Sequence, residues 1–275
     1  TGPFWPEGFE FTGINAEIHV DDGVVIMDGV TCQCGAGSVE ASMKINKGEF
    51  DLMIRGEALP ISPRFVDVLP SSGSEKLSSA WRWLEPTGAM DAVIRMSHSE
   101  DNSNLHMTIE PKELNVSGKN RTTELKLMKG AIVVEDESVF FNDLEFELSE
   151  RGENQGVLDI NGEFRGELIA YWDDASIDSP LTRAISGIVG GESAVEYYDS
   201  MQPSGTASAR ALLATQDDDS DMSYSIEIIP AELSATFHNR RAVAIFNETE
   251  KPASNVISFN NDGMHFDHLL GTLGS

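Results

Sequence analysis

The stretch that decides the fold is Ile18-His-Val-Asp-Asp-Gly-Val-Val-Ile-Met-Asp-Gly-Val-Thr-Cys-Gln-Cys34, because the chain repeats its pattern. It aligns without gaps with Ile132-Val-Val-Glu-Asp-Glu-Ser-Val-Phe-Phe-Asn-Asp-Leu-Glu-Phe-Glu-Leu148, and again with Ile257-Ser-Phe-Asn-Asn-Asp-Gly-Met-His-Phe-Asp-His-Leu269. Each copy has alternating apolar residues, a polar turn and further alternation, which is the pattern of a β-hairpin. The copies begin 114 and 125 residues apart, so each repeat holds several strands and is expected to stack on its neighbours.

Composition limits the classes of function. The 275 residues are 40% hydrophobic, which is enough for a core, and Lys+Arg 19 against Asp+Glu 46 gives a net charge of −27. Such acidity argues against nucleic acid as a partner and against docking on an anionic membrane surface. No apolar run reaches the length of a membrane helix, so we predict no membrane-spanning segment. Because the chain starts at Thr1, without Met, we interpret it as part of a longer protein.

The sequence carries no recognisable catalytic motif. It has no G-x-S-x-G nucleophile turn, no phosphate-binding Walker loop and no H-E-x-x-H metal motif. Cys32 and Cys34 are two apart on one predicted strand, so they share a face in a geometry that does not suit a disulfide. We therefore predict that the protein is not an enzyme, that it has no cofactor or metal site, and that both cysteines are core residues.

Alternation with period two predicts a mainly β fold, and two stretches depart from it. Apolar spacings of three and four predict short helices there, each starting at a Ser-Pro pair, Ser62-Pro63 and Ser179-Pro180. The predicted fold is an extended, curled antiparallel sheet built of repeats of roughly 115–125 residues, with two short helical insertions. Residues 1–275 form one continuous repeat segment, divided into strands 1–61, a helical insertion 62–85, strands 86–178, a helical insertion 179–202 and strands 203–275.

Three short motifs carry a family resemblance. They are the polar turn Asp21-Asp22-Gly23 with its copies, the exit Gly56-Glu-Ala-Leu-Pro60 towards a helical insertion, and the re-entry Pro86-Thr-Gly88. In these features the chain resembles the AsmA-like and TamB-like repeat proteins of the bacterial cell envelope. The resemblance covers nearly the whole chain. It implies a bridge-like lipid transfer protein, in which a curled sheet carries acyl chains along an apolar groove.

Residues two apart on a strand point to the same face, so the alternation also predicts which side chains would line such a groove. The groove candidates are Ile18, Val20, Met43, Ile45, Leu52, Ile54, Leu105, Met107, Ile109, Leu125, Leu127, Ile132, Val134, Phe146, Leu148, Ile226, Ile228, Phe237 and Phe259. The same face could instead be a closed core, and the pattern alone does not separate these alternatives.

The functional hypothesis is a non-enzymatic envelope segment whose apolar β groove serves lipid transport or outer-membrane biogenesis. The expected partners are phospholipid acyl chains and other envelope proteins. The expected location is the periplasm of the bacterial cell envelope, with an anchor outside this segment. The alternative is a secreted or surface β-rich adhesive module, in which acidic hairpins such as 216–221 bind calcium as a structural ion.

Overall fold

The computed structural model describes most of the chain. The described residues are 10–61, 81, 83–99, 102–118, 121–136, 138–163, 166–214, 223–237, 240–245, 256–260, 263–267 and 271–273. The predicted helical insertion at 62–85 lies almost wholly outside them. Of that insertion, residues 81, 83, 84 and 85 are described; Trp81, Trp83 and Leu84 are helical, and Glu85 is not.

The fold is mainly β, as predicted, and its strands outnumber its helices by far. They are β1 (Phe11–Asp21), β2 (Val24–Cys34), β3 (Gly37–Asn46), β4 (Glu49–Ile61), β5 (Thr87–His98), β6 (Ser103–Gly118), β7 (Arg121–Glu135), β8 (Ser138–Glu150), β9 (Glu153–Glu163), β10 (Glu167–Ser176), β11 (Ser204–Ala214), β12 (Ser223–Phe237), β13 (Arg240–Ile245), β14 (Val256–Asn260), β15 (Gly263–Asp267) and β16 (Gly271–Leu273). One helical element, α1 (Pro180–Met201), lies between β10 and β11.

All sixteen strands belong to one antiparallel sheet, and from β1 to β13 their order in the sheet follows their order in the chain. From β2 to β13 each strand pairs with the strand that precedes it, whereas β14 pairs with β12 and β15, and β16 pairs with β13. Among the described strands β1 pairs with β2 alone, so the sheet is open and does not close into a barrel. The expectation of a mainly β, extended antiparallel sheet is therefore confirmed.

Tight turns connect many of these strands and fix their register. In the turn Asp22-Gly23 both residues have positive φ, 45° and 81°, and the flanking residues Asp21 and Val24 pair directly. This is the geometry of a two-residue type I′ hairpin, which matches the twist of the strands and favours Asp, Asn and Gly. The turns Lys47-Gly48 and Arg151-Gly152 have the same pair of positive φ values.

The backbone repeats as the sequence does. In β2 the register shifts between Met27 and Val30, and in β8 it shifts between Phe141 and Leu144. Phe141 is 114 residues after Met27, and Leu144 is 114 residues after Val30. Both shifts are β-bulges, which bend a strand and increase its twist. Because they recur at equivalent positions in both units, the repeat is a property of the backbone as well as of the sequence.

Glycine is required at one equivalent position of both units. Gly88 and Gly205 have φ values of 142° and 126°, in the region that disfavours other residues. A Cβ on Gly88 would lie 1.9 Å from the carbonyl oxygen of Glu113, and one on Gly205 would lie 2.0 Å from that of Glu232. The Pro-x-Gly motif therefore marks a close approach of two strands.

The element α1 is a helical hairpin. Its N-cap Ser179 accepts a hydrogen bond from the Thr182 amide, and Pro180 occupies the first turn. Arg183 donates two hydrogen bonds of 3.0 Å to Asp199, sixteen residues away. A straight helix would separate these residues by about 24 Å, so the chain reverses at Gly191, which has φ 67° and ψ −160°.

Candidate functional site: an apolar face with an open strip

The register of the first unit aligns one row of apolar residues across six strands. Met43 on β3 lies directly opposite Met27 on one side and Leu52 on the other. Directly opposed residues in antiparallel strands point to the same face, so the row forms a strip. The strip consists of Ile18, Met27, Met43, Leu52, Met96 and Leu105. Ile18 is 58% exposed and the other five are half-buried, so we call this row the open strip.

The second unit contains an equivalent row. It consists of Ile132, Phe141, Gly162, Leu168, Leu213 and Tyr224, joined by direct pairing across β7 to β12. These residues are also half-buried. Ile109 of the first unit lies opposite Ile132 of the second, so the two units share one apolar face.

The part of this face nearer the helices is buried. Its second-unit portion, which we call the covered core, contains Leu125, Leu144, Phe146, Leu148 and Trp172. Leu181 and Ala184 from α1 pack on it, and both are at least nine-tenths buried. The indole of Trp172 donates a hydrogen bond of 3.3 Å to the carbonyl of Gln155. The hairpin α1 therefore covers the sheet where strands alone would leave it exposed.

The first helical insertion contributes to the same cover. Trp81 packs against a buried cluster that contains Val39 and Met90 of the first unit and Val134 of the second. The Trp83 ring lies so close to Gly187 on α1 that a Cβ there would meet the ring at 2.5 Å. The described part of this insertion thus contacts both the sheet and α1.

A polar cluster closes the covered core at the end of the strands. Arg121 at the start of β7 pairs through Nε and Nη2 with Glu150, which is 4% exposed at the end of β8. Its Nη1 donates a hydrogen bond of 2.8 Å to Oδ2 of Asp178, just before α1. The Ser176 hydroxyl donates a hydrogen bond of 2.7 Å to the other oxygen of the same carboxylate. The cluster therefore ties two strands to the base of the helical hairpin.

The electrostatics of the polar cluster follow from these contacts. Burial by itself would raise the pKa of Asp178, but hydrogen bonds from Arg121 and Ser176 outweigh it and lower the pKa. The hydrogen bond to Glu150 is the main cause that raises the pKa of Arg121. Burial raises the pKa of Tyr198, whose hydroxyl donates to the carbonyl of Ile177. The pairing thus favours the charged forms of Arg121 and Asp178, and burial favours the neutral phenol of Tyr198.

A cavity of about 300 Å³ lies beside this cluster, lined by residues that include Arg121, Asp178, Arg183, Tyr198 and Asp199. Both of its arginines are engaged by carboxylates. A bound anion would have to compete with those carboxylates, so the cavity does not offer a free cationic site.

The predicted groove residues are spread over three degrees of exposure. Ile18 and Val20 are exposed, at 58% and 69%, on the edge strand β1. The half-buried ones are Met43, Ile45, Leu52, Ile54, Leu105, Leu127, Ile132, Ile226 and Ile228. The buried ones are Met107, Ile109, Leu125, Val134, Phe146 and Leu148. Phe237 and Phe259 lie on β12 and β14, and their side chains are outside the described set.

The structure adds residues that the alternation did not select. Met27 and Met96 complete the open strip, and aligning the strands by their turns would have found them. Arg121 and Glu150 were also not selected as site residues. Arg121 lies two residues before Thr123, and Glu150 lies two residues after Leu148, so both are in phase with side chains of the apolar face. A charged residue in phase with an apolar face is a usable signal, because it requires a partner.

Within the described ranges, no group of three or more His, Cys, Asp or Glu side chains is placed to hold a metal ion. Cys32 and Cys34 are free, and burial raises the pKa of both thiols, so they are protonated at neutral pH. No helix in the described part of the chain is long and apolar enough to cross a membrane. The apolar face is therefore the candidate site.

Comparison with known proteins gives no family: no family model, curated protein or solved structure matches this chain.

Proposed function

We propose that this segment is a non-enzymatic lipid-binding sheet, whose open strip holds a phospholipid acyl chain along the apolar face. One observation carries the proposal: five aligned apolar residues on five adjacent strands are only half-buried, beside a core that is fully covered. Monomeric proteins rarely expose contiguous apolar surface of this kind unless it binds something.

The dimensions of the open strip suit one acyl chain. Adjacent strands lie about 4.8 Å apart, so a row across six strands runs for about 24 Å. One acyl chain fills about half of the ~30 Å hydrocarbon core of a bilayer, or about 15 Å. Each methylene that leaves water contributes about 0.8 kcal/mol, so ten of them contribute about 8 kcal/mol before the cost of ordering.

The composition of the open strip also favours a variable apolar ligand. Three of its residues, Met27, Met43 and Met96, are methionines. The unbranched thioether side chain adapts to different shapes, which suits acyl chains of different length and unsaturation. The resemblance to AsmA-like and TamB-like envelope proteins leads to the same proposal, with lipid transport in the periplasm as the setting and envelope proteins as partners.

The direct test is mass spectrometry of organic extracts from the purified protein, where we expect phospholipid. Met43→Asp places a charge in the open strip and should remove most of the bound lipid. Ser42→Asp is the matched control, because it adds the same charge at the next position, on the opposite face of β3. Its lipid content should equal that of the wild type.

Two results would overturn the proposal. One is a wild-type extract without lipid, combined with no uptake from phospholipid vesicles. The other is equal lipid content in Met43→Asp and Ser42→Asp. If calcium instead raises the melting temperature strongly and lipid is absent, the adhesive calcium-binding alternative replaces the proposal.

A further inference from the structure

Half of the open strip consists of methionine. Met27, Met43 and Met96 lie on β2, β3 and β5, and all three are half-buried, so solvent reaches part of each side chain. Met27 and Met43 are directly opposed. Leu52 separates Met43 from Met96, because it pairs with both. An acyl chain that lies along the strip therefore contacts all three thioethers.

The equivalent row of the second unit contains no methionine. The three positions are occupied there by Phe141, Gly162 and Leu213. An apolar row of this kind thus forms without thioethers. Methionine differs from these residues in one chemical respect, since mild oxidants convert its apolar thioether into a polar sulfoxide.

Three further methionines serve as internal references. Met90 and Met107 are 2% and 5% exposed, in a buried cluster of the same apolar face. Met53 is half-buried like the methionines of the strip, but it follows Leu52 on β4 and so points to the opposite face. Burial protects the first two from an oxidant, and oxidation of Met53 leaves the apolar face unchanged.

The two cysteines are poor competitors for an oxidant. Peroxide reacts with the thiolate form of cysteine, and burial raises the pKa of both Cys32 and Cys34. The side chain of Cys34 is also fully buried. A thioether has no proton to lose, so the reactivity of each methionine follows its exposure.

We propose that the open strip is a redox-sensitive site, which releases its acyl chain when Met27, Met43 and Met96 are oxidised to methionine sulfoxide. The inference rests on the proposed function, because it concerns regulation of the same site. The oxidant is hydrogen peroxide: its O–O bond breaks, one oxygen atom passes to the thioether sulfur, which loses two electrons, and water leaves. A methionine sulfoxide reductase with a dithiol reverses the step, and its products are the thioether, water and a disulfide.

A sulfoxide in the strip disfavours an acyl chain because its oxygen is a hydrogen-bond acceptor. A methylene chain has no donor to offer, so bound lipid would remove this oxygen from water without a replacement. Adjacent strands lie about 4.8 Å apart, so the sulfoxides of Met27 and Met43 stand side by side, and a chain that crosses both strands avoids neither. We expect a loss of affinity of at least about tenfold.

The test is peroxide treatment of the whole, lipid-free chain. Peptide mapping by mass spectrometry locates the added oxygen, and uptake of pyrene-labelled phosphatidylcholine from vesicles is measured after the peroxide is removed. We expect oxidation of the three strip methionines and Met53, none of Met90 and Met107, an unchanged circular dichroism spectrum and affinity lower by at least about tenfold. A methionine sulfoxide reductase with dithiothreitol should restore the uptake.

Substitutions separate the strip from the rest of the chain. The triple variant Met27→Leu, Met43→Leu, Met96→Leu keeps the volume and the apolar character, so it should take up lipid as the wild type does. Peroxide should then change its affinity less than about twofold. Met53→Leu is the matched control and should stay as sensitive as the wild type. Met43→Gln, an uncharged polar mimic, should lower uptake without any oxidant, and Met53→Gln should not.

The inference is overturned if peroxide leaves the strip methionines unmodified, or if the fully oxidised wild type takes up lipid as before. An equal loss of uptake in the wild type and the triple variant would place the sensitive group elsewhere. Loss of the circular dichroism spectrum on oxidation would assign the effect to unfolding. A wild type that takes up no lipid before treatment contradicts the proposed function itself, whereas uptake that peroxide does not alter contradicts the regulation alone.

Discussion

The open strip and the covered core belong to the same face of the same sheet, yet they have different surroundings. Leu52 and Leu144 both point to this face, but Leu52 is half-buried and Leu144 is 1% exposed. The difference lies in what packs on each residue, since Leu144 belongs to the cluster that Leu181 and Ala184 of the helical hairpin cover. An alternating strand thus builds an apolar face, and the packing of α1 on one part of it is what buries that part.

The largest expected effect comes from a matched pair of truncations. Leu144→Ala should lower the free energy of unfolding by about 3–4 kcal/mol, because it leaves a cavity in a packed core. Leu52→Ala in lipid-free protein should cost only about 1 kcal/mol, since its side chain is already partly in water. Urea denaturation followed by circular dichroism gives both values. Equal losses would show that the open strip is a closed core.

A smaller loss is expected where the polar cluster anchors the cover. Arg121→Met leaves the carboxylate of Glu150, 4% exposed, without its partner and should cost about 3 kcal/mol. Adding Glu150→Gln removes the unpaired charge and should recover much of the loss. The same denaturation assay measures both variants. If the double variant is as unstable as Arg121→Met, the arginine acts through packing and not through its charge.

The smallest effect is a pH dependence confined to the covered region. The pKa of Asp178 is lowered in the folded protein from its ordinary value of 3.8. Stabilisation from this carboxylate is therefore complete above that value and is lost as the pH falls through the folded pKa. Unfolding free energies measured between about pH 5 and 2 should fall more steeply for the wild type than for Asp178→Asn. If the free energy of unfolding falls with pH equally steeply in the wild type and in Asp178→Asn, the ion pair between Asp178 and Arg121 does not stabilise the fold.

Much of the fold was accessible from the sequence because its signals are local. Alternation in stretches such as Leu144 to Leu148 gave the strands, Asp22-Gly23 gave a hairpin turn, and Ser179-Pro180 gave a helix start. The repeat of the first motif gave the equivalence of units. Each of these depends on neighbours along the chain, so no tertiary information was needed.

The depth of each side chain could not be predicted in the same way. Met107 was placed among groove candidates by its phase, yet it is 5% exposed, so a charge there would test the core and Met43 is the better position. The exposure of a side chain on the apolar face depends on which part of the sheet the helical hairpin packs against. The partners of Arg121 are 29 and 57 residues away, and only the stacking of strands brings them together.

The strand order has a consequence for biosynthesis. Because each strand from β2 to β13 pairs with the one made just before it, its partner has already left the ribosome when it emerges. Loop closure is then short and cheap at nearly every step. A nascent chain can therefore add strands one at a time, and at each stage its growing end presents an edge that the next residues will occupy.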